Sequence, residues 1–176
     1  MLKLILILIV LAIIVILVYA SMRPDTFRVE RSATFKATPD VVFAQINDFH
    51  NWAAWSAWER MDPTMSKNFS GAASGVGAKY AWQGNNKVGQ GSMEITESTP
   101  NSKVMVKLDF LSPMEAHNIG EFTIQPDGDG TRLTWAMYGP APFISKLFGV
   151  FVNMDKMIGK DFEGSLANLK TVAEGK

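Results

Sequence analysis

Residues 4–20 read LILILIVLAIIVILVYA, an uncharged apolar run with Lys3 before it and Arg23 after it. A helix through this run has no polar face, so it does not pack as the amphipathic segments downstream do. Its length is at the short end of what crosses the hydrocarbon of a bilayer. The run also exceeds the apolar region of about 7–15 residues in a cleaved signal, which favours an uncleaved transmembrane anchor over residues 1–23. A signal peptide stays open as the alternative, because Val18 and Ala20 offer small residues at cleavage positions. Flanking charge is divided: Lys3 and the terminal amine favour a cytoplasmic N-terminus, while Arg23, Arg28, Arg31 and Lys36 favour the reverse. Because the N-terminus has the form of an export signal, the expected arrangement is a single-pass membrane protein with its domain on the extracytoplasmic face.

Residues 26–174, out of 176 in all, are one domain's worth of chain. Lys plus Arg and Asp plus Glu each number 17, and no basic stripe is interleaved with aromatics, so nucleic-acid binding is not expected. The absence of cysteine removes disulfides, thiolate nucleophiles and zinc-thiolate sites together.

TFRVERSATF (26–35) alternates as a half-buried strand does. ATPDVVFAQINDF then offers Thr38 or Asp40 as a helix cap, Pro39 in the first turn, and an apolar stripe of Val42, Phe43, Ile46 and Phe49. HNWAAWSAWE (50–59) places Trp52, Trp55 and Trp58 three residues apart, on roughly one side of a helical or 3₁₀ turn. Two readings compete for them: a core anchor, and a hydrophobic lid over a ligand cavity. Trp52 and Trp55 are expected to be mostly buried, with Trp58 the most exposed. From about 66 to 139 six strands are separated by turn chemistry such as Pro100–Asn101, Ser112–Pro113 and PDGDG. The last segment, Phe143 to Ala173, repeats Leu147, Phe151, Met154, Ile158, Phe162, Leu166 and Leu169 at three and four residues, which predicts one long amphipathic helix. Strands run together with helices at the ends, so the class is α+β: a bent antiparallel sheet with the long C-terminal helix across its concave face.

This order, the stretch VVFAQINDFHNWAAWSAW, the strand GVGAKYAW and the ending DFEGSLANLK resemble the START-like superfamily, also called SRPBCC or the polyketide cyclase and dehydrase-like group, over residues 26–174. Helix residues such as Val42, Phe43, Ile46 and Asp48 followed by Trp52 and Trp55 recur in that group. The resemblance implies the helix-grip fold and a deep apolar pocket for a lipid, sterol, polyketide or other hydrophobic small molecule. It implies no reaction, since the group mixes carriers, sensors and enzymes.

Period two assigns the strand faces independently. Tyr80 and Trp82 share a face, as do Met93 and Ile95; Val104, Val106, Leu108 and Phe110; Asn118, Phe122 and Ile124; and Leu133, Trp135 and Met137. The candidate ligand-binding residues are therefore Trp55, Tyr80, Trp82, Met93, Leu108, Phe110, Asn118, Phe122, Trp135 and Met137 from the segment and sheet, closed by Phe151, Met154 and Ile158. A cavity of roughly 300–1,000 Å³ is expected between them. Asn118 is the best-placed inward polar group, unless a bulge near Gly120 turns it outward. His117, Asp109 and Glu94 alternate towards solvent, and His50 and Asp48 suit a helix end. No catalytic residue, metal set or cofactor is assigned, because no carboxylates clearly converge and no metal spacing occurs. The leading expectation is binding or transport of a hydrophobic small molecule or lipid, held at the membrane through residues 4–20. The alternatives are a cyclase or dehydratase-like enzyme and a protein-interaction module using the same groove.

Overall fold

The computed structural model describes residues 1–175. Helix α1 (Leu2–Ser21) is exposed along nearly its whole length, with Ala20 the buried exception at its last turn. It is long and apolar enough to cross a membrane, a description that a signal sequence also meets.

The domain is a seven-stranded antiparallel sheet: β1 (Thr26–Phe35), β2 (Ser66–Gly71), β3 (Ala78–Gln83), β4 (Gln90–Thr99), β5 (Lys103–Ser112), β6 (Ala116–Asp127) and β7 (Gly130–Pro140). Spatial order is β1-β7-β6-β5-β4-β3-β2, so β2 to β7 form a meander and β1 closes against the last strand. Register is continuous from β5 to β6 through Gly120, which keeps Asn118 on the inner face. The irregularities fall on β4 instead, at Gln90/Gly91 and Ile95/Glu97.

Between β1 and β2 lie α2 (Pro39–Ile46), a 3₁₀ turn (Phe49–Ala54) and α3 (Ala57–Met61). Pro39 starts α2, where a missing N–H costs nothing. The far end of α2 explains the tryptophans. A helix leaves its last four carbonyls without partners. Here Asn47 N–H bonds Phe43 O, Asn51 Nδ2 bonds Ala44 O at 3.0 Å, Trp55 Nε1 bonds Gln45 O at 3.2 Å, and Trp52 Nε1 bonds Ile46 O at 3.0 Å. Spacing the indoles by three thus sets two N–H donors beneath one helix end while their rings fill the core.

The long C-terminal helix expected from 143 to 173 is two helices, α4 (Phe143–Phe151) and α5 (Met154–Ala173). Val152 and Asn153 are extended, and the Asn153 side chain accepts from Lys156 N–H as the cap of α5. The apolar repeat runs through this break, yet its two halves do different work. Phe162, Leu166 and Leu169 are buried on the sheet, whereas α4 packs on α1 and Phe151 is 71 % exposed.

The N-terminal half of α5 is tied to the sheet edge by Arg31 of β1. Its guanidinium meets Asp155 at 3.0 Å and Glu163 at 2.8 Å. It occupies the space where a Cβ on Gly159 would stand, which is why the helix carries glycine there. Further along, Lys170 Nζ donates to Thr34 O, Ser165 Oγ accepts from Ala57 N–H, and Asn168 Nδ2 donates to Trp55 O.

Candidate functional site

Sheet, tryptophan segment and the first half of α5 enclose a cavity of about 1360 Å³. This exceeds the expected range: the space is open, and its lining runs on to α4, the residues before β1 and the turn joining β5 to β6. Its floor follows the register. Tyr80 faces Met93, Met93 faces Leu108, and Leu108 faces Asn118, so these four form one row across β3 to β6. Three strand spacings make that row about 14 Å wide. A second row carries Trp82, Gly91 and Phe110, with the two rings edge to face at 5.7 Å. A third carries Ile95, Val106, Gly120, Met137 and Val29. Above Gly120 a Cβ would find only Val106, at 3.8 Å, so the missing side chain leaves open space in the floor.

Of the residues expected at the site, Tyr80, Trp82, Met93, Leu108, Phe110, Asn118, Phe122, Trp135, Met137, Phe151, Met154 and Ile158 all line the cavity, Phe151 at its exposed mouth. Trp55 does not. It is fully buried behind the wall, where its indole caps α2 and packs on Trp52 and Trp135. Trp52 is buried with one face to the cavity, and Trp58 is half-buried over it, 6.2 Å from Trp135. Trp55 is thus a core anchor, while Trp52 and Trp58 line the cavity. The deep end of the space is closed by Trp135 stacked on Phe162, centroids 3.9 Å apart and nearly parallel.

The lining is mostly apolar, with Ser56, Glu59, Asn118 and Asp161 among its polar members. Asn118 is 6 % exposed, and its Oδ1 is the one buried side-chain polar atom without a hydrogen-bond partner among the described residues. It lies against Gly139 of β7, where a Cβ would collide with it. A buried amide oxygen without a donor costs about 1–3 kcal/mol. Two wall groups, Glu59 and Asp161, were not legible in the sequence. Glu59 of α3, only 8 % exposed at its side chain, accepts from the Tyr80 hydroxyl at 2.7 Å and pairs with Lys67. Burial, reinforced by that bond, holds the Tyr80 hydroxyl well above the usual phenol range, so it stays protonated. Asp161 of α5 lies at the wall too, and burial pushes its carboxyl up despite neighbouring Lys160. These residues sit on helices whose approach to the sheet is a tertiary matter, and no local spacing signals it.

On the convex face His117 Nδ1 meets Asp109 Oδ1 at 2.7 Å, and Lys107 meets the other oxygen at 2.8 Å. His50 sits beside Asp48, whose side chain caps the 3₁₀ turn.

Solved structures share this architecture. A Chromobacterium violaceum protein superposes with a TM-score of 0.60 at 16 % identity, covering 86 % of this chain and 99 % of its own. A Staphylococcus aureus protein of unknown function gives 0.62 at 15 %, covering 85 % and 94 %. The di-domain ARO/CYC StfQ from the steffimycin biosynthetic pathway gives 0.62 at 12 %, covering 85 % of this chain and 51 % of that one. At such identities the likeness shows the fold alone. A search of curated proteins returned no match. The family model described as polyketide cyclase / dehydrase and lipid transport matches residues 26–174, and the chain belongs to that family.

Proposed function

We propose that the domain binds a hydrophobic small molecule or lipid bearing one hydrogen-bonding group, and that α1 holds it at a membrane. The observation that carries this reading is the apolar cavity of about 1360 Å³ with the unpaired Asn118 amide in its wall. An apolar void of this size has lost the contacts that a filled core would make, and an apolar ligand restores them. Asn118 can both donate and accept, and its last torsion is soft, so a hydroxyl or amide on the ligand removes the cost of the orphaned oxygen. Membership of a family described by both cyclase / dehydrase and lipid transport is consistent with such a ligand.

The test is native mass spectrometry of the full chain extracted from its own membrane, beside Gly120→Leu. A leucine there meets ordinary contact at Cβ and directs the rest of its side chain into the cavity. The wild type should carry a bound small molecule that Gly120→Leu lacks, at a stability within about 1 kcal/mol of wild type. Equal occupancy in both, or a bound polypeptide in place of a small molecule, would sink the carrier reading.

Glu59 with Tyr80 favours a second reading. A buried carboxylate bonded to a phenol on a cavity wall is a positioned acid–base pair of the kind that cyclisation or dehydration uses. Loss of turnover on a polyketide-type substrate in Tyr80→Phe, with ligand binding kept, would establish it.

A further inference from the structure

Helix α4 displays Phe143, Ile144, Phe148 and Phe151 to solvent, Ile144 at 62 % exposure. With Leu147, these positions fall on one face of a helix. Met114 of the β5–β6 turn is exposed as well, as is Met157 at the start of α5. Met114, Phe151 and Met157 also line the cavity, with Glu115, Lys146 and Asp155 as charged neighbours, so the exposed apolar surface reaches the mouth within a polar rim. Contiguous apolar surface of this kind marks an interaction site rather than a solvated face.

The neighbouring helix identifies what covers it. Helix α1 packs on α4, and the joint after it is pinned there: Lys146 pairs with Asp25, Ala141 N–H donates to Asp25 O at 2.6 Å, and Arg23 lies against Gly149. Any bilayer that takes up α1 therefore has its surface at the level of α4. A short amphipathic helix with aromatic residues on its apolar face is suited to lie in that interface.

We propose that α4 and the β5–β6 turn dip into the bilayer that holds α1, so that the cavity opens onto lipid and its ligand exchanges with the membrane without crossing water. This rests on the reading of α1 as an anchor and of the cavity as a ligand site. It goes beyond both by assigning a second membrane contact and a direction to the mouth.

The natural chain has no cysteine, so single-cysteine variants label uniquely. Full-length Phe148→Cys and Met114→Cys, each carrying a polarity-sensitive nitrobenzoxadiazole dye, are placed in phosphatidylcholine vesicles with and without nitroxide-labelled acyl chains. Ala167→Cys, exposed on the distal half of α5, is the control. The dyes at 148 and 114 should lose most of their emission to the acyl-chain nitroxide, and the dye at 167 should not. The double variant Ile144→Glu with Phe148→Glu changes two exposed side chains outside the buried core, and it should restore emission at 114. Dyes at 148 and 114 that behave as the one at 167 in vesicles where the chain has inserted would overturn the proposal. So would a blue-shifted dye that lipid nitroxide does not quench, because a second protein surface would then cover the face. Ligand occupancy in the same samples separates the two ideas. An occupied cavity with unquenched dyes refutes the docking alone, and quenched dyes over an empty cavity refute the carrier reading alone.

Discussion

Replacing Trp55 by alanine separates core from cavity. Trp55 has no exposed surface, contacts Trp52 at 4.8 Å and Trp135 at 5.9 Å between centroids, and gives its N–H to Gln45 O. Removing the indole forfeits its transfer free energy, about 2 kcal/mol for a large apolar side chain. It leaves a void on the order of 100 Å³, which at 24 cal/mol per Å³ costs a further 2.4 kcal/mol or so. The total of about 4 kcal/mol falls within the 3–5 kcal/mol seen for large aromatic truncations. For a domain of this size it corresponds to roughly 8–16 °C in melting temperature. The stranded Gln45 carbonyl adds to the loss unless water reaches it. Because Trp55 does not line the cavity, Trp55→Ala that is still folded at low temperature should keep ligand occupancy close to wild type. Thermal unfolding of the full chain followed by near-ultraviolet circular dichroism, with native mass spectrometry on the same sample, reads both quantities. A variant of wild-type stability that has lost its ligand would refute the placement of this ring as a core anchor.

A chain beginning at Asp25 should unfold cooperatively and remain folded without α1, since the buried core draws on no residue of that helix; aggregation of this fragment beside a folded full chain would contradict it. The hydrogen bond to Asp109 raises the His117 pKa above its usual value, with Glu115 adding to it. That stabilisation is complete below about pH 6.5 and is lost as pH rises through the higher folded value, so a proton NMR titration should place His117 above 6.5 and Asp109→Asn should lower it. Burial raises the Asp161 carboxyl, which penalises the folded state at pH values above the ordinary carboxylate range. Asp161→Asn should therefore raise melting temperature at pH 7 and leave it unchanged near pH 3, where both states are protonated.

The strand faces are legible because alternation is a local property: it places Tyr80, Met93, Leu108 and Asn118 inward one strand at a time, and the register lines them up. The break before α5 is not legible in the same way. Leu147, Phe151, Met154 and Ile158 continue the helical repeat, and Val152–Asn153 contains neither proline nor glycine, so periodicity alone joins two helices that face different surroundings. Asn153 is the available signal, as a capping residue followed by Asp155 in the first turn. The tryptophan spacing announces burial, but the carbonyls that those indoles cap belong to the preceding helix and do not show in the spacing. Trp55, counted among the candidate lining residues, instead stands behind the wall with its N–H on Gln45 O. Tyr80 is visible as an inward ring, whereas Glu59, 21 positions earlier, reaches it only through the packing of α3 above β3.

The burial gradient along α5 shows how one helix can close a core at one end and stand over a large void at the other. Its second half, from Phe162 to Leu169, is closed against the sheet, beginning at the Trp135–Phe162 stack. Its first half, with Met154, Ile158 and Asp161, is only partly buried and stands over the cavity. What fixes that half is lateral rather than underneath it: Arg31 holds Asp155 and Glu163 from the edge strand, in the room that Gly159 provides. A helix positioned from its side needs no side chains beneath it, so the floor can carry Gly120 without the helix settling onto the sheet. Cooperative stability is expected to come from the filled end, since the open end has fewer buried contacts to lose. The first turns of α5 and the adjoining α4 are thus where hydrogen exchange should be fastest in the empty protein and slowed most by a ligand.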